Sequence, residues 1–555
     1  MKSILLAFAA FFSASGFAWA ADDIVQRAVS DELQRSMQSL QLVGEAKPYF
    51  IAYQVEDVAM LDVQASLGAV GFSGERGWRW ARVDVRVGNA KLDSSRMAGR
   101  QPIFIELPVE DDYDGVRRAL WLATDRAYKR AVEDLAAKRG VLAAHDEPDR
   151  QPDQTPAPLL RVIDAGAESP GFDRPGIETK LRELSRVFAD HRDLEQSQVW
   201  LSQRMRRVWF ANSEGSRVEK RVPEVQFGAA ARARADDGLS VWDYDALSVS
   251  DIAQLPAQAD LAARLRTLAQ RVGEQRNAVR LADDYTGPVL FTNDAAANLF
   301  GGHFAPQLWP APRQYSNQGI GAVGGGFEHR IGSPVLPPGV SVSDDPLRTD
   351  FQGQALLSAF RVDDDGVAAT KKELIVNGRL KQLLCARAPV GKHCSAGNNR
   401  SGVAAGSMLE LVSEHPKTEA LLRSELARAA HDADLPYALE VERLLNGDAL
   451  QRLVLGSQPT WMGSGGQGEV VLRATLRYAD GHSVPVRNVR LGNVDLRDFR
   501  TVVGIGDTPA LYAKSFGDRQ IAFLVPSLLF EELTASDDHS STVKPPLLKS
   551  PLVAK

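Results

Sequence analysis

The sequence predicts an α+β protein of two domains, an α/β-type N-terminal domain and a strand-rich, largely antiparallel C-terminal domain. Three observations predict it. The chain has 555 residues, too many for a single hydrophobic core, so two large domains, or three, are expected. Its first half alternates apolar residues at helical spacing with runs of period two. Its second half breaks into short strand-like runs separated by glycine and aspartate turns, interrupted by one long helical stretch, Thr418 to Asp434.

Residues 1–20 read as a secretory signal. Lys2 supplies the positive start, Ile4 to Phe12 the apolar run and Ala18-Trp19-Ala20 the cleavage site. Cleavage after Ala20 leaves a periplasmic or secreted chain; an uncleaved anchor is the alternative. No later apolar run is long enough to span a membrane. The formal charge of −6 is mild for this length and argues against nucleic acid as a partner.

Asp22 to Leu40 is an amphipathic helix, with Ile24, Ala28, Leu33, Met37 and Leu40 near one face. A strand from Pro48 to Tyr53 follows. Met60 to Ala69 and Trp78 to Val87 alternate like strands with one buried face, and Gly71 to Gly77 reads as the turn between them. Tyr113 to Lys138 carries apolar residues at helical spacing, with Gly140 placed as its C-terminal cap. His145 to Pro158 reads as a linker or exposed loop. Gly176 to Arg192 is a helix. Gln198 to Gly228 and Ala229 to Tyr244 are strands around the turn Asn212 to Gly215, and Asp251 to Arg276 is mostly helical. The domain boundary is placed near Ala278 to Tyr285. The expected division is 1–20 signal, 21–280 N-terminal domain, 281–535 C-terminal domain and 536–555 extended tail.

Few residues announce chemistry. The glycine cluster Gly319 to Gly326 has neither a following Gly-Lys-Ser/Thr nor a G-x-G-x-x-G before a helix, so a flexible loop is expected rather than a phosphate site. The nine histidines are scattered, none within three to five positions of another, which leaves no helical zinc pair. His303, His329 and His393 could reach one metal only from distant segments. Cys385 and Cys394 lie nine apart. In an oxidising compartment they close a small loop; otherwise one is a buried thiol and one a loop thiol. Asp344-Asp345-Pro346 and Asp363-Asp364-Asp365-Gly366 are read as turns rather than calcium ligands, because the terminal Glu of a calcium loop is missing. Ser395 to Arg400 is read as a polar loop.

The most informative stretch is Tyr285 to Phe304, YTGPVLFTNDAAANLFGGHF, a strand leading into an alanine-rich helix. With it, in one order, come Glu328-His-Arg-Ile-Gly332, Asp344-Asp-Pro346, Phe360-Arg-Val-Asp-Asp-Asp-Gly366 and Leu374-Ile-Val-Asn-Gly-Arg-Leu-Lys381. Ala396-Gly-Asn-Asn-Arg400, Asp480-Gly481, Val489 to Val494 and Pro526 to Leu529 follow. This succession resembles the TldD/PmbA peptidase family over about residues 280 to 535, and the N-terminal half resembles it in element order and in Asn212-Ser-Glu-Gly215. The resemblance implies the two-domain fold just described. It also implies proteolysis of peptides or unfolded proteins within a homo- or heterodimer.

In zinc-bearing members of that family a His-Glu-x-x-x-His motif at this junction, with a downstream Cys, holds the metal, and the Glu serves as general base. Here Asn293, Asp294 and Asn298 stand at those positions. Amides are poor zinc ligands. The chain therefore resembles the metal-free PmbA (TldE) branch, and no zinc or other cofactor is expected. Three functions follow as expectations: a metal-free subunit pairing with a TldD-like partner, an active metallopeptidase with non-standard ligands, or a non-enzymatic peptide-binding protein of the envelope. Asn293 or Asp294 is also expected to cap the helix that begins there.

Overall fold

A computed structural model describes residues 23–537, apart from 101, 146, 148–149, 165–170, 322–325, 446–468 and 517–518. The expected signal, the middle of the glycine cluster and the tail from residue 538 lie outside the described residues.

The N-terminal half is built on two very long hairpins. Strand β1 (Pro48–Ser66) pairs with β2 (Ala69–Asn89) over their whole lengths, and β6 (Leu194–Asn212) pairs with β7 (Arg217–Arg234). Short strands β3 (Leu92–Asp93), β4 (Ile103–Leu107) and β5 (Arg161–Asp164) and the longer β8 (Ser240–Val249) complete the sheet. The order is β3-β2-β1-β6-β7-β5, with β4 also on β2 and β8 also on β7.

Strand side chains alternate between faces. One face, carrying Ile51, Tyr53, Val55, Leu61 and Val63, is covered by helices. Helices α1 (Ile24–Ser39) and α2 (Tyr113–Ala144) cover one end, while α3 (Arg174–Ser185) and α4 (Gln258–Asn277) cover the other. The opposite face, carrying Phe50, Glu56, Arg82, Arg206 and Lys220, meets the C-terminal half.

Four expectations need correcting in this half. The turn of the first hairpin is Leu67-Gly68, both at positive φ (49° and 86°), and Gly71 to Gly77 lies within β2. A two-residue turn with left-handed residues matches the twist of its strands. The glycines of Ser73 to Gly77 suggested a break, but those residues pair with Ala59 to Val63. Pro48 to Tyr53 and Met60 onward are accordingly one strand. Helix α2 runs through Gly140 to Ala144, because Val141 still has a partner to bury against in the Met97–Tyr315 cluster. Finally, His145 to Pro158 is not an exposed loop throughout: Asp153 and Gln154 are buried. Asp153 accepts from the Asp93 backbone and pairs with the buried Lys138 at 2.8 Å.

The C-terminal half contains a mostly antiparallel sheet of twelve strands among the described residues. Its strands are β9 (Val279–Arg280), β10 (Tyr285–Phe291), β11 (Val340–Asp344), β12 (Lys372–Val376), β13 (Arg379–Leu380) and β14 (Met408–Ser413). They continue with β15 (Tyr437–Leu444), β16 (Val471–Tyr478), β17 (Ser483–Arg487), β18 (Val489–Leu491), β19 (Val502–Phe516) and β20 (Arg519–Asp537). The order is β13-β12-β11-β14-β20-β10-β15-β16-β17-β9, with β18 and β19 also on β20. Helix α5 (Asn293–Leu299) lies on one face over Val289, Phe291, Leu439 and Val441. Helix α6 (Glu419–Asp432), capped by Thr418, lies on the other over Leu290, Ala438 and Leu529. The chain thus has the α+β architecture, with a strand-rich C-terminal region, that its patterning predicts.

Cys385 and Cys394 are joined as a disulfide, with Cα atoms 5.7 Å apart. The supposed polar loop Asn398 to Arg400 is buried: Asn398 bonds to Asp344, and Arg400 donates to three backbone carbonyls. The Asp363 turn is confirmed, with Asp363 accepting from the backbone of Asp365 and Val367 and Gly366 at φ 74°. Its neighbour Asp364 is itself buried, paired with Arg519 of the same half and, across the seam, with Lys220. No helix among the described residues is long and apolar enough to cross a membrane.

Candidate functional site

Helix α5 starts at the edge of the seam between the two sheets, and its alanines explain its position. Ala295, Ala296 and Ala297 are fully buried, and only side chains this small let the helix lie close to the sheet. It then loosens into a π turn (Phe300–Phe304), where Phe300 and Phe304 pack on Phe499, Phe523 and Phe327. An added Cβ at Gly301 would meet the Phe523 ring at 2.7 Å, so glycine is required there.

The helix start is not capped as expected. Thr292 is the capping position and makes no side-chain capping bond. Asn293 is exposed and takes a left-handed φ of 50°. Asp294 lines the seam with residues of the N-terminal domain. Its Oδ2 accepts from Arg443 Nη2 at 3.3 Å, while its Oδ1 is buried with no hydrogen-bond partner among the described residues. Arg443, on β15, also donates to Asp243 Oδ1 (3.1 Å) and to the Tyr244 carbonyl (2.6 Å) on β8, and lies over the Tyr244 ring. Asp243 is held in turn by Arg271 of α4. The result is a line of alternating charge, Asp294–Arg443–Asp243–Arg271, that crosses from one domain to the other.

Burial raises the Asp294 pKa; Arg443 opposes the rise, and Asp243 adds to it. Burial works against the Arg443 charge too, but its two carboxylates more than offset this and hold it protonated. Beside Asp294 lies a cavity of about 170 Å³ lined from both domains, by Trp200, Gln226, Tyr244 and Ser248 on one side and Gln354, Ser358 and Tyr512 on the other. It shares Ala355, Leu356, Leu357 and Gln520 with a second cavity of about 410 Å³. That one shares Asn399 with a third cavity of about 390 Å³ around Arg82 and Trp309. The three form a series along the seam.

The residues at the motif positions do not fit a zinc ion. Asn298 donates its amide N–H to the Leu445 carbonyl (3.3 Å), Asn293 offers only an amide, and Asp294 already has a guanidinium as its counter-charge. The two cysteines are tied in a disulfide, so neither offers a thiolate. His303 bonds Glu469 (2.8 Å), whereas His329 is largely exposed and pairs with Glu328, and His393 is exposed on the disulfide loop. Among the described residues no group of three His, Cys, Asp or Glu side chains is placed to hold a metal.

The structure therefore brings Asp294 into a built site but leaves Asn293 at its rim and the three histidines apart. Arg443, Asp243 and Arg82 carried no signal as site residues in the sequence. Arg443 sits inside an ordinary strand pattern, 149 positions after the acid it holds.

Residues 148–277 match the model of the PmbA/TldA metallopeptidase central domain and residues 284–424 that of the PmbA/TldA metallopeptidase C-terminal domain. No curated protein matches the chain. Among solved structures, the fold is similar to that of a putative modulator of a DNA gyrase from Thermotoga maritima. The TM-score is 0.57 at 14% identity, covering 88% of this chain and 96% of that one. It is also similar to TldE from Thermococcus kodakarensis, with a TM-score of 0.55 at 14% identity over 92% of this chain and 100% of that one. A putative modulator of DNA gyrase from Bacteroides thetaiotaomicron gives 0.54 at 10% identity, over 92% and 98%. These likenesses share the fold, and the two consecutive domain matches make the chain a PmbA/TldD-type protein, of a metallopeptidase-related family.

Proposed function

We propose that this chain is a metal-free subunit that binds peptide or unfolded protein along the seam and pairs with a zinc-bearing relative that cuts it. One observation carries this reading: at the position of the family's general base, Asp294 is bound to Arg443 instead of facing a metal-held water. A general base at a zinc centre acts on water that the metal has acidified. Asp294 has a fixed cation as its neighbour, and that cation supplies no acidic water. The seam keeps what a partner would need, a series of cavities lined from both domains. We place the protein in the periplasm or outside the cell, a reading supported by the signal-like residues 1–20 and by the Cys385–Cys394 disulfide, which suits an oxidising compartment.

The test is reconstitution. The purified chain is assayed for peptide cleavage alone and mixed with a relative that carries His-Glu-x-x-x-His. The expected result is no cleavage alone, and with the relative a chelator-sensitive activity greater than the relative shows by itself. Cleavage by the isolated chain would overturn the reading. Peptide binding with no gain in any mixture would favour a non-enzymatic peptide-binding protein.

A further inference from the structure

The cavity farthest along the seam from Asp294 contains an unused cation. Six arginines line it, and five of them, Arg86, Arg96, Arg100, Arg130 and Arg387, each have a carboxylate within 4 Å. The sixth, Arg82 on β2, is 8% exposed and has no hydrogen-bond or ion-pair partner among the described residues; its Nη1 is fully buried. Asp364 feels its charge, but the oxygens of that acid are already taken by Arg519, Lys220 and the Ser401 backbone N–H. Gln54, opposite on β1, gives its amide to Glu56. A guanidinium stays charged at any physiological pH and offers five donors in a planar fork. Leaving it buried and unbonded is costly, so its place in the fold's interior calls for an acceptor from outside.

We propose that Arg82 receives the C-terminal carboxylate of a bound peptide. A carboxylate fits the fork with two parallel hydrogen bonds. The opposite wall suits the last side chain of such a peptide, being apolar and stiff: Trp309, Pro310 and Pro312. The hairpin turn Ser401-Gly402 closes over the guanidinium, with both residues at positive φ, and a Cβ added at Gly402 would sit 3.6 Å from Nη1. The position also gives polarity. The carboxylate is held at the Arg82 end, and the chain upstream of it runs through the central cavity toward Asp294. This assignment rests on the peptide-binding reading above, and adds to it the end by which the peptide is held.

The experiment is calorimetric binding of one N-acetylated hexapeptide in two forms, free acid and C-terminal amide, to the full chain, with inorganic phosphate as a third probe. Binding of the free acid at least tenfold tighter than the amide is expected. Arg82→Lys should keep part of that preference, and Arg82→Ala should abolish it. Equal affinity for acid and amide would overturn the proposal and leave the peptide reading standing. Failure of both peptides to bind would overturn that reading as well. Phosphate binding lost in Arg82→Ala, with no acid preference among peptides, would show a free-anion site and overturn the assignment. Should Arg82→Ala not fold, the acid-to-amide ratio of the native protein decides the matter.

Discussion

The two ends of the seam handle buried charge in opposite ways. At the α5 end, charges compensate each other within the protein and across the seam: Arg443 is in contact with Asp294 of its own domain and with Asp243 of the other, and Arg271 extends the line. At the other end, Arg82 is more deeply buried and has no such partner among the described residues. The comparison teaches where the molecule is finished and where it waits for a ligand. A closed ion-pair line fixes two domains against each other, whereas an unpaired guanidinium in a cavity is specific only for something that arrives.

Four predictions bear on this contrast. The largest effect should come from Arg443→Met, which leaves Asp243 and Asp294 without their shared cation. Breaking a buried pair from one side costs about 4 kcal/mol, read from urea unfolding, and adding Asp294→Asn should restore part of it. If Arg443→Met proves nearly neutral, the line does not join the domains.

The second prediction uses Asp344, a buried carboxylate with three hydrogen bonds and no direct ion pair among the described residues. It accepts from the backbones of Ser407 and Met408 and from Asn398, and burial raises its pKa to about 6. A raised folded pKa means a contribution fully present below the unfolded value near 3.9 and lost as pH rises through about 6. Against Asp344→Asn, the native protein should therefore lose about 3 kcal/mol between those pH values. A difference that does not change with pH would contradict this.

Third, reducing Cys385–Cys394 should lower stability by about 2.5 kcal/mol, the chain-entropy value for so short a loop, seen as an earlier urea midpoint with reductant. The smallest effect is expected for Asp294→Asn alone. One of its oxygens has no hydrogen-bond partner among the described residues and its charge is disfavoured by burial, so a change of about 1 kcal/mol or less is expected. A much larger loss would mean that Asp294 holds the site together more firmly than its single 3.3 Å contact suggests.

Much of the fold was legible because it rests on local pattern. The period of Ile24 to Leu40, the alternation in Trp78 to Val87 and the turn Asn212 to Gly215 all report their own surroundings. The failures came where a tertiary partner overrode a local signal. Glycines in Ser73 to Gly77 stayed in a strand because a long neighbour paired with them, and Gly140 stayed helical because Val141 had a core to reach. At the site, the sequence picked out Asp294 but expected it or Asn293 to cap the helix, since the arginine that Asp294 meets lies on a distant strand. Arg82 was invisible for the same reason: within WRWARVDVRV it is one more polar residue of an alternating strand, and only the folded seam shows that no hydrogen-bond or ion-pair partner meets it among the described residues.

The most direct test of the central claim is the metal content of the purified native chain by elemental analysis, before and after incubation with zinc and desalting. With Arg443 as the counter-charge of Asp294 and amides at positions 293 and 298, zinc should remain far below one per chain in both samples. One zinc retained per chain, and lost on replacing Asp294 or Asn298 by Ala, would contradict the account.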